Sequence, residues 1–316
     1  IVFLVFYIHQ IGFKVKWPVY YWMWLTGLVF FIFTFIENYL WILPYFREHF
    51  IADMTIQWKV NGSLVGAINQ IIYGVAFYLM EKISSDEKSS YQKLSFAMYF
   101  LGMFNLMFNW GHHIYLLPTE KFIHYIAYAV SMTEWIILIR IFYKWSKQIK
   151  ENKQFYYFFP YRFLMAADYW VTINLTLALF MSIPAINLYT HGTHITVAHA
   201  MGTTIGINTM IIIAGIFYFI QPTFQNTKWK RFGSITFWIV QGTLFLFLSS
   251  LIGMGIQRAI WQSGLTLESF SKMSSSSENW VLLFIIFGTI LFLSMGTFIV
   301  YLFVKSWKKN KFDFPY

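Results

Sequence analysis

An all-α, polytopic membrane helix bundle with about eight transmembrane helices is the fold this sequence predicts. Three observations carry that expectation. The 316-residue chain is 58% hydrophobic, 22% aromatic and only 11% charged, whereas a soluble domain carries about 25% charged residues. Apolar runs of roughly 20 residues, long enough to cross a bilayer core as a helix, follow one another along the chain. The basic residues gather in alternate connections between those runs, as in multi-pass proteins that keep Lys and Arg on the cytoplasmic side.

The first 13 residues, "IVFLVFYIHQIGF", read as the tail of a preceding transmembrane helix. They are too short to span alone and lack the basic front and cleavage site of a signal peptide. Eight full spans follow, at 18–43, 56–81, 94–117, 122–143, 163–186, 194–220, 232–256 and 279–304. Pro118, in "LLPTEKF", closes the third and makes the next connection a tight turn. The polar stretches "KISSDEKSSYQK" and "KWSKQIKENKQ" are connections on one side, and "LTLESFSKMSSSSEN" lies on the other. No internal repeat is visible, so residues 1–316 are expected to form one integral membrane domain.

The charges fix the expected orientation. Lys14 and Lys16 precede the first span, and Lys82, Lys88 and Lys93 separate the second and third. Lys144, Lys147, Lys150, Lys153 and Arg162 separate the fourth and fifth, and Lys228, Lys230 and Arg231 the sixth and seventh. Lys305, Lys308, Lys309 and Lys311 follow the last. The other connections hold only Arg47, Lys121, Arg258 and Lys272. Both ends are therefore expected in the cytoplasm. The net charge of +10 is topological, which argues against a nucleic-acid partner. The absence of cysteine excludes disulfides and thiolate metal sites, leaving His and Met as the soft or borderline ligands.

With that orientation, polar residues of three spans reach one layer in the outer half of the membrane: Asn61, the pair His112–His113, and His199. Polar groups at membrane depth cost free energy unless paired, and they mark candidate sites. His112 and His113, in "NWGHHIYLLP", diverge by about 100° on a helix, yet two neighbouring imidazoles can lean toward one metal ion. An interfacial pair bonded to headgroups or to the next turn is the other reading. His199 and Met201, in "AHAMG", lie about 200° apart and face opposite ways. One helix so built can offer one axial ligand on each side; ordinary packing is the alternative for Met201. His191 and His194 read as polar caps at the outer end of the same span. Glu134 lies near the midplane of the fourth span, where a carboxylate is a functional candidate. Glu37 and Asp168 sit nearer span ends, within reach of water.

"GHH" near the outer end of one helix, a Glu-bearing helix after it, and "THGTHITVAH" opening a later helix together resemble subunit I of the haem–copper oxidase superfamily. Within it, the pattern is most similar to the large subunit of nitric oxide reductase, possession of a dismutase-like variant pattern included. The resemblance covers residues 18–304. It implies that the eight spans are the last eight of a twelve-helix fold in a bacterial cytoplasmic membrane. It also implies two haems, one high-spin and one low-spin, and a non-haem Fe or Cu that is weakly held or absent. A cytochrome c-type subunit or a quinol would donate electrons.

Carried over by residue, the resemblance makes His199 the ligand of the high-spin haem and His112 and His113 ligands of the second metal. Glu134 matches a glutamate near that site. Two departures concern "WKVNGSLVG": Asn61 stands where the family has a third metal histidine, and Val65 where it has a glutamate. A third is Met201, which stands where a histidine for the low-spin haem is expected. An amide oxygen is a harder and weaker ligand than imidazole, and losing the carboxylate removes a proton donor. The expected activity is conversion of nitric oxide, by reduction or by dismutation. Dismutation needs no external proton, which suits the loss at Val65. Oxygen reduction by a terminal oxidase, and a non-catalytic haem sensor or assembly subunit, are the alternatives.

Overall fold

The computed structural model describes residues 1–12, 16–131, 133–220 and 227–308, and every regular element among them is helical. The helices cluster in two compact units. Unit 1 comprises residues 1–158 and 171–188, and unit 2 comprises residues 159–170 and 189–316. In chain order the helices begin with α1 Val2–Ile11, α2 Val19–Glu37, α3 Pro44–Arg47, α4 Phe50–Ser84 and α5 Lys93–Phe108. They continue with α6 Lys121–Ser131, α7 Glu134–Gln148, α8 Glu151–Tyr156, α9 Phe158–Ser182 and α10 Pro184–Thr190. The last are α11 His194–Met201, α12 Met210–Ile220, α13 Thr227–Gln262, α14 Phe270–Ser276 and α15 Glu278–Lys308.

Six of the eight predicted spans are helical stretches long and apolar enough to cross a bilayer among the described residues: Val19–Ile42, Phe50–Ser84, Phe158–Ser182, His194–Ile220, Lys230–Gln262 and Glu278–Val304. The other two are interrupted, each for a local reason. The span predicted at 94–117 is α5 followed by a 3₁₀ segment, Asn109–Ile114. At about 1.5 Å per α residue and 2.0 Å per 3₁₀ residue, the two together rise about 36 Å. The span predicted at 122–143 breaks between α6 and α7. There Thr133 donates its hydroxyl to the Val130 carbonyl at 2.8 Å, a side-chain bond that competes with the helical ladder.

Lipid tails are as apolar as leucine, so membrane helices associate by packing and polar contacts, and small residues let their backbones approach. Unit 1 does this along α4. A Cβ on Gly27 would lie 2.6 Å from Ile71 Cγ1 and 2.8 Å from the Ala67 carbonyl oxygen. Beside it, Trp24 Nε1 donates to the Ile71 carbonyl at 3.0 Å. A Cβ on Gly66 would lie 2.8 Å from the backbone of Leu106. Buried polar groups are tied across the helices: Ser63 donates to the Leu106 carbonyl at 3.1 Å, and Thr26 and Tyr99 share a hydroxyl bond at 2.8 Å. Lys59 pairs with Glu37, so these two charged side chains, both within predicted spans, neutralise each other. At the far end of α4, Tyr20 donates to Glu81 at 3.3 Å and Trp145 Nε1 to the Met80 carbonyl at 3.0 Å.

Unit 2 packs on aromatic rings and on the same kind of glycine contact. Phe217 stacks on Phe163 at 5.5 Å and meets Phe298 at 5.2 Å. Such pairs contribute about 0.5–1.5 kcal/mol each beyond their burial. Gly253 of α13 leaves room for the Trp280 indole, and Gly255 for the backbone of Ile195 at the start of α11.

Gly66→Ala is expected to lower stability by about 1–3 kcal/mol, the range for overpacking a tight contact, because the nearest obstructing atom is the Leu106 backbone Cα. Gly242→Ala, where nothing lies within 4 Å of the added atom, is the control. Thermal unfolding of both variants in detergent checks this; equal midpoints would contradict the close approach.

Candidate functional site

In unit 1 the site is built by the end of α5. The α-helix stops at Phe108 and tightens into the 3₁₀ segment carrying Asn109, Trp110, Gly111, His112 and His113. Trp110 Nε1 donates to the Met107 carbonyl at 2.7 Å, satisfying one of the acceptors that a helix end leaves open. Gly111 is required by close approach: a Cβ there would lie 2.8 Å from Ala127 Cβ of α6. The sequence reading treated this stretch as continuous α-helix. The 3₁₀ winding changes the register, because side chains three apart eclipse one another. Asn109 thus falls under His112, and His112 Nδ1 lies 3.0 Å from Asn109 Oδ1.

The two imidazoles come together as expected. Their ring centroids are 4.1 Å apart with planes inclined by 41°. Helix α4 closes the other side. Trp58 stacks on His113 at 5.8 Å with planes 14° apart, and a Cβ on Gly62 would lie 3.3 Å from His113 Cδ2 and 2.7 Å from Trp110 Cβ. Asn61 lies on α4 between these two contact residues and is itself exposed. Val65, one turn on, is 49% exposed. Among the described residues no group of three His, Cys, Asp or Glu side chains could hold a metal. Two imidazoles held side by side fit the nitrogen-rich half of a metal site, with an amide as the third candidate donor. Glu134 opens α7, and its side chain lies outside the described residues.

In unit 2 the "THGTHIT" segment is a capped turn. Gly192 adopts φ 72°, a left-handed conformation that other residues disfavour. The Thr190 carbonyl accepts from the backbone N–H of Thr193 at 3.2 Å and from the hydroxyls of Thr193 at 2.7 Å and Thr196 at 3.0 Å. Thr193 is the N-cap of α11, its Oγ1 accepting from Ile195 N–H at 3.2 Å. Capping therefore falls to Thr193. His194 is the first helical residue.

His199 and Met201 both lie within the regular turns of α11, so the separation of about 200° between them holds. Both are half-buried, and His199 Nδ1 is shielded from solvent. An imidazole with one nitrogen enclosed by protein and part of the residue open fits a haem ligand. The next eight residues, Gly202–Thr209, wind as a π-helix, a form frequent at functional sites. Within it Gly206 lets Trp170 approach closely, since a Cβ there would lie 2.8 Å from Trp170 Cγ. Trp170 Nε1 donates to Gln241 Oε1 at 2.7 Å, and Gln241 Nε2 donates to Met210 Sδ at 3.4 Å.

The sequence reading missed Trp58, Gly62 and Asn109. The signals were present: Trp58, Gly62 and Gly66 recur every four residues, which is one helix face, and Asn109 precedes His112 by three.

Residues 1–290 match the family model described as cytochrome C and Quinol oxidase polypeptide I. The chain belongs to that family. It is an integral membrane protein of the haem–copper oxidase superfamily, whose members are oxidoreductases that carry haem and a further metal. Among 31 matching solved chains is one described as "Cryo-EM structure of a heme-copper terminal oxidase dimer provides insights into its catalytic mechanism". The match has a TM-score of 0.65 at 14% identity and covers 99% of this chain. This chain spans 58% of the length of that one. No curated protein matches the sequence.

Thr193→Ala is expected to destabilise the start of α11 by about 1 kcal/mol, the typical value of a lost N-cap, with Thr193→Ser close to the original. Thermal unfolding would show it; an unchanged midpoint for Thr193→Ala would refute the cap.

Proposed function

We propose that this chain is the core of a membrane haem enzyme that converts nitric oxide, by reduction or dismutation. The observation that carries the reading is the pair His112–His113, seated against an α4 that presents Asn61 and Val65 where the family pattern has histidine and glutamate. His199 would hold the high-spin haem and Met201 the low-spin haem, since the two residues point to opposite faces of α11. His112 and His113 hold the second metal, Fe or Cu, with Asn61 as a weak third donor. When bound, the haem and the metal supply the redox chemistry on small diatomic ligands.

The protein's own contribution is positional and dielectric. Trp58 covers one face of His113 with apolar surface. Val65 offers no proton where the family pattern has a carboxylate, which favours dismutation over proton-consuming reduction. A cytochrome c-type subunit or a quinol would supply the electrons for a reductive cycle, and Met201 would help hold the haem that receives them. Both ends of the chain lie in the cytoplasm of a bacterium on this reading, and Glu134 is the remaining candidate for moving a proton near the site.

Two substitutions test the haem assignments. His199→Ala is expected to remove the high-spin signal and spare the low-spin one; Met201→Leu is expected to do the reverse. Optical and electron paramagnetic spectra of the purified protein report both, and two haems retained in both variants would overturn the assignment. Nitric oxide supplied anaerobically separates the chemistries. Nitrous oxide marks reduction, and oxygen release marks dismutation. Oxygen consumption without nitric oxide turnover marks a terminal oxidase, and no turnover with a single haem marks a binding protein.

A further inference from the structure

We infer that Asn109 is a positioning residue for the second metal, one that sets the tautomer of His112. The inference rests on the reading of His112 as a metal ligand. Its own basis is the hydrogen bond between His112 Nδ1 and Asn109 Oδ1, 3.0 Å long. An amide oxygen only accepts, so the proton of that bond belongs to the imidazole. A neutral imidazole carries one proton, and placing it on Nδ1 leaves the lone pair on Nε2. The ring is therefore committed to bind a metal through Nε2, and the bond also fixes its rotation.

The 3₁₀ winding makes this possible. In an α-helix, residues three apart are offset by about 60°; in a 3₁₀ turn they eclipse, which brings the amide under the ring. His113 is oriented by different means, the stacked indole of Trp58 and the gap at Gly62. The two imidazoles are thus fixed independently, one by a polar bond within the turn and one by packing from α4. With the amide of Asn61 as the third candidate donor, orientation of the imidazoles matters more than in a three-histidine site. Fewer strong ligands leave more of the affinity to geometry.

The test uses the whole chain with its haems, freed of loosely held metal, and Zn²⁺ as a redox-silent probe that binds imidazole. Zn²⁺ binding is measured by equilibrium dialysis with elemental analysis. Asn109→Leu, close in size but without the acceptor, is expected to weaken binding about 10- to 100-fold, the usual loss when a partner that orients a metal-bound histidine is removed. Asn109→Asp keeps the acceptor and is expected to bind at least as tightly as the original. Retained haem spectra establish that both variants fold. If Asn109→Leu binds Zn²⁺ like the original while His112→Ala does not, the positioning role is wrong and the metal site stands. If Asn109→Asp is as weak as Asn109→Leu, the residue acts through shape and the tautomer argument falls. If His112→Ala itself binds like the original, the metal reading fails, and this inference with it.

Discussion

Backbone contact across Gly62 and Gly66 seats α4 against α5 and the 3₁₀ turn that follows it, and the His113 imidazole depends on that seating. In lipid there is no hydrophobic gain from bringing two apolar helices together. What remains is dispersion between close surfaces, and it falls steeply with small gaps. Glycine removes the side chains that would hold the axes apart. At that separation Trp58 can lie flat on His113, and Ser63 can reach the Leu106 carbonyl. The same contact that stabilises the helix pair therefore also orients a candidate ligand. Stability and function draw on one set of atoms there.

The polar groups of unit 1 obey the complementary constraint. Every buried donor or acceptor at membrane depth needs a partner or costs free energy. Lys59 meets Glu37, Thr26 meets Tyr99, and Tyr20 meets Glu81. All three pairs link different helices, so each also restricts sliding of one helix past another. His112 stands apart from these, since its bond to Asn109 lies within a single turn. Its geometry survives small movements of α4, while that of His113 does not.

How far the sequence foretold this depends on the kind of signal. Six spans coincide with apolar runs, because burial in lipid is written in composition and needs no partner. His112 and His113 come together as the adjacent pair suggests. The break near Thr133 was not legible, because a hydroxyl bond to a carbonyl three residues back leaves no mark on hydropathy. Nor was the 3₁₀ winding at Asn109, which depends on Gly111 being pressed against α6 and on Trp110 reaching back to a carbonyl. The threonines around Gly192 carry the family resemblance, yet in the structure they cap a turn. A motif can be specific for a family because its chemistry needs a rigid mount, with most of its letters belonging to the mount.

That distinction bears on α11. Its first turns are fixed from outside by the cap and by the glycine contact with α13, and its last turns by the π segment and the Trp170–Gln241–Met210 chain. His199 and Met201 lie between these two fixtures, in the stretch that stays regularly α-helical. A π-turn displaces the residues after it around the axis relative to an unbroken helix. Because the π segment begins after Met201, it leaves the opposed directions of the pair untouched while re-aiming everything from Gly202 onward. The irregularity is thus placed where it can fit the helix to its neighbours without disturbing the two candidate ligands.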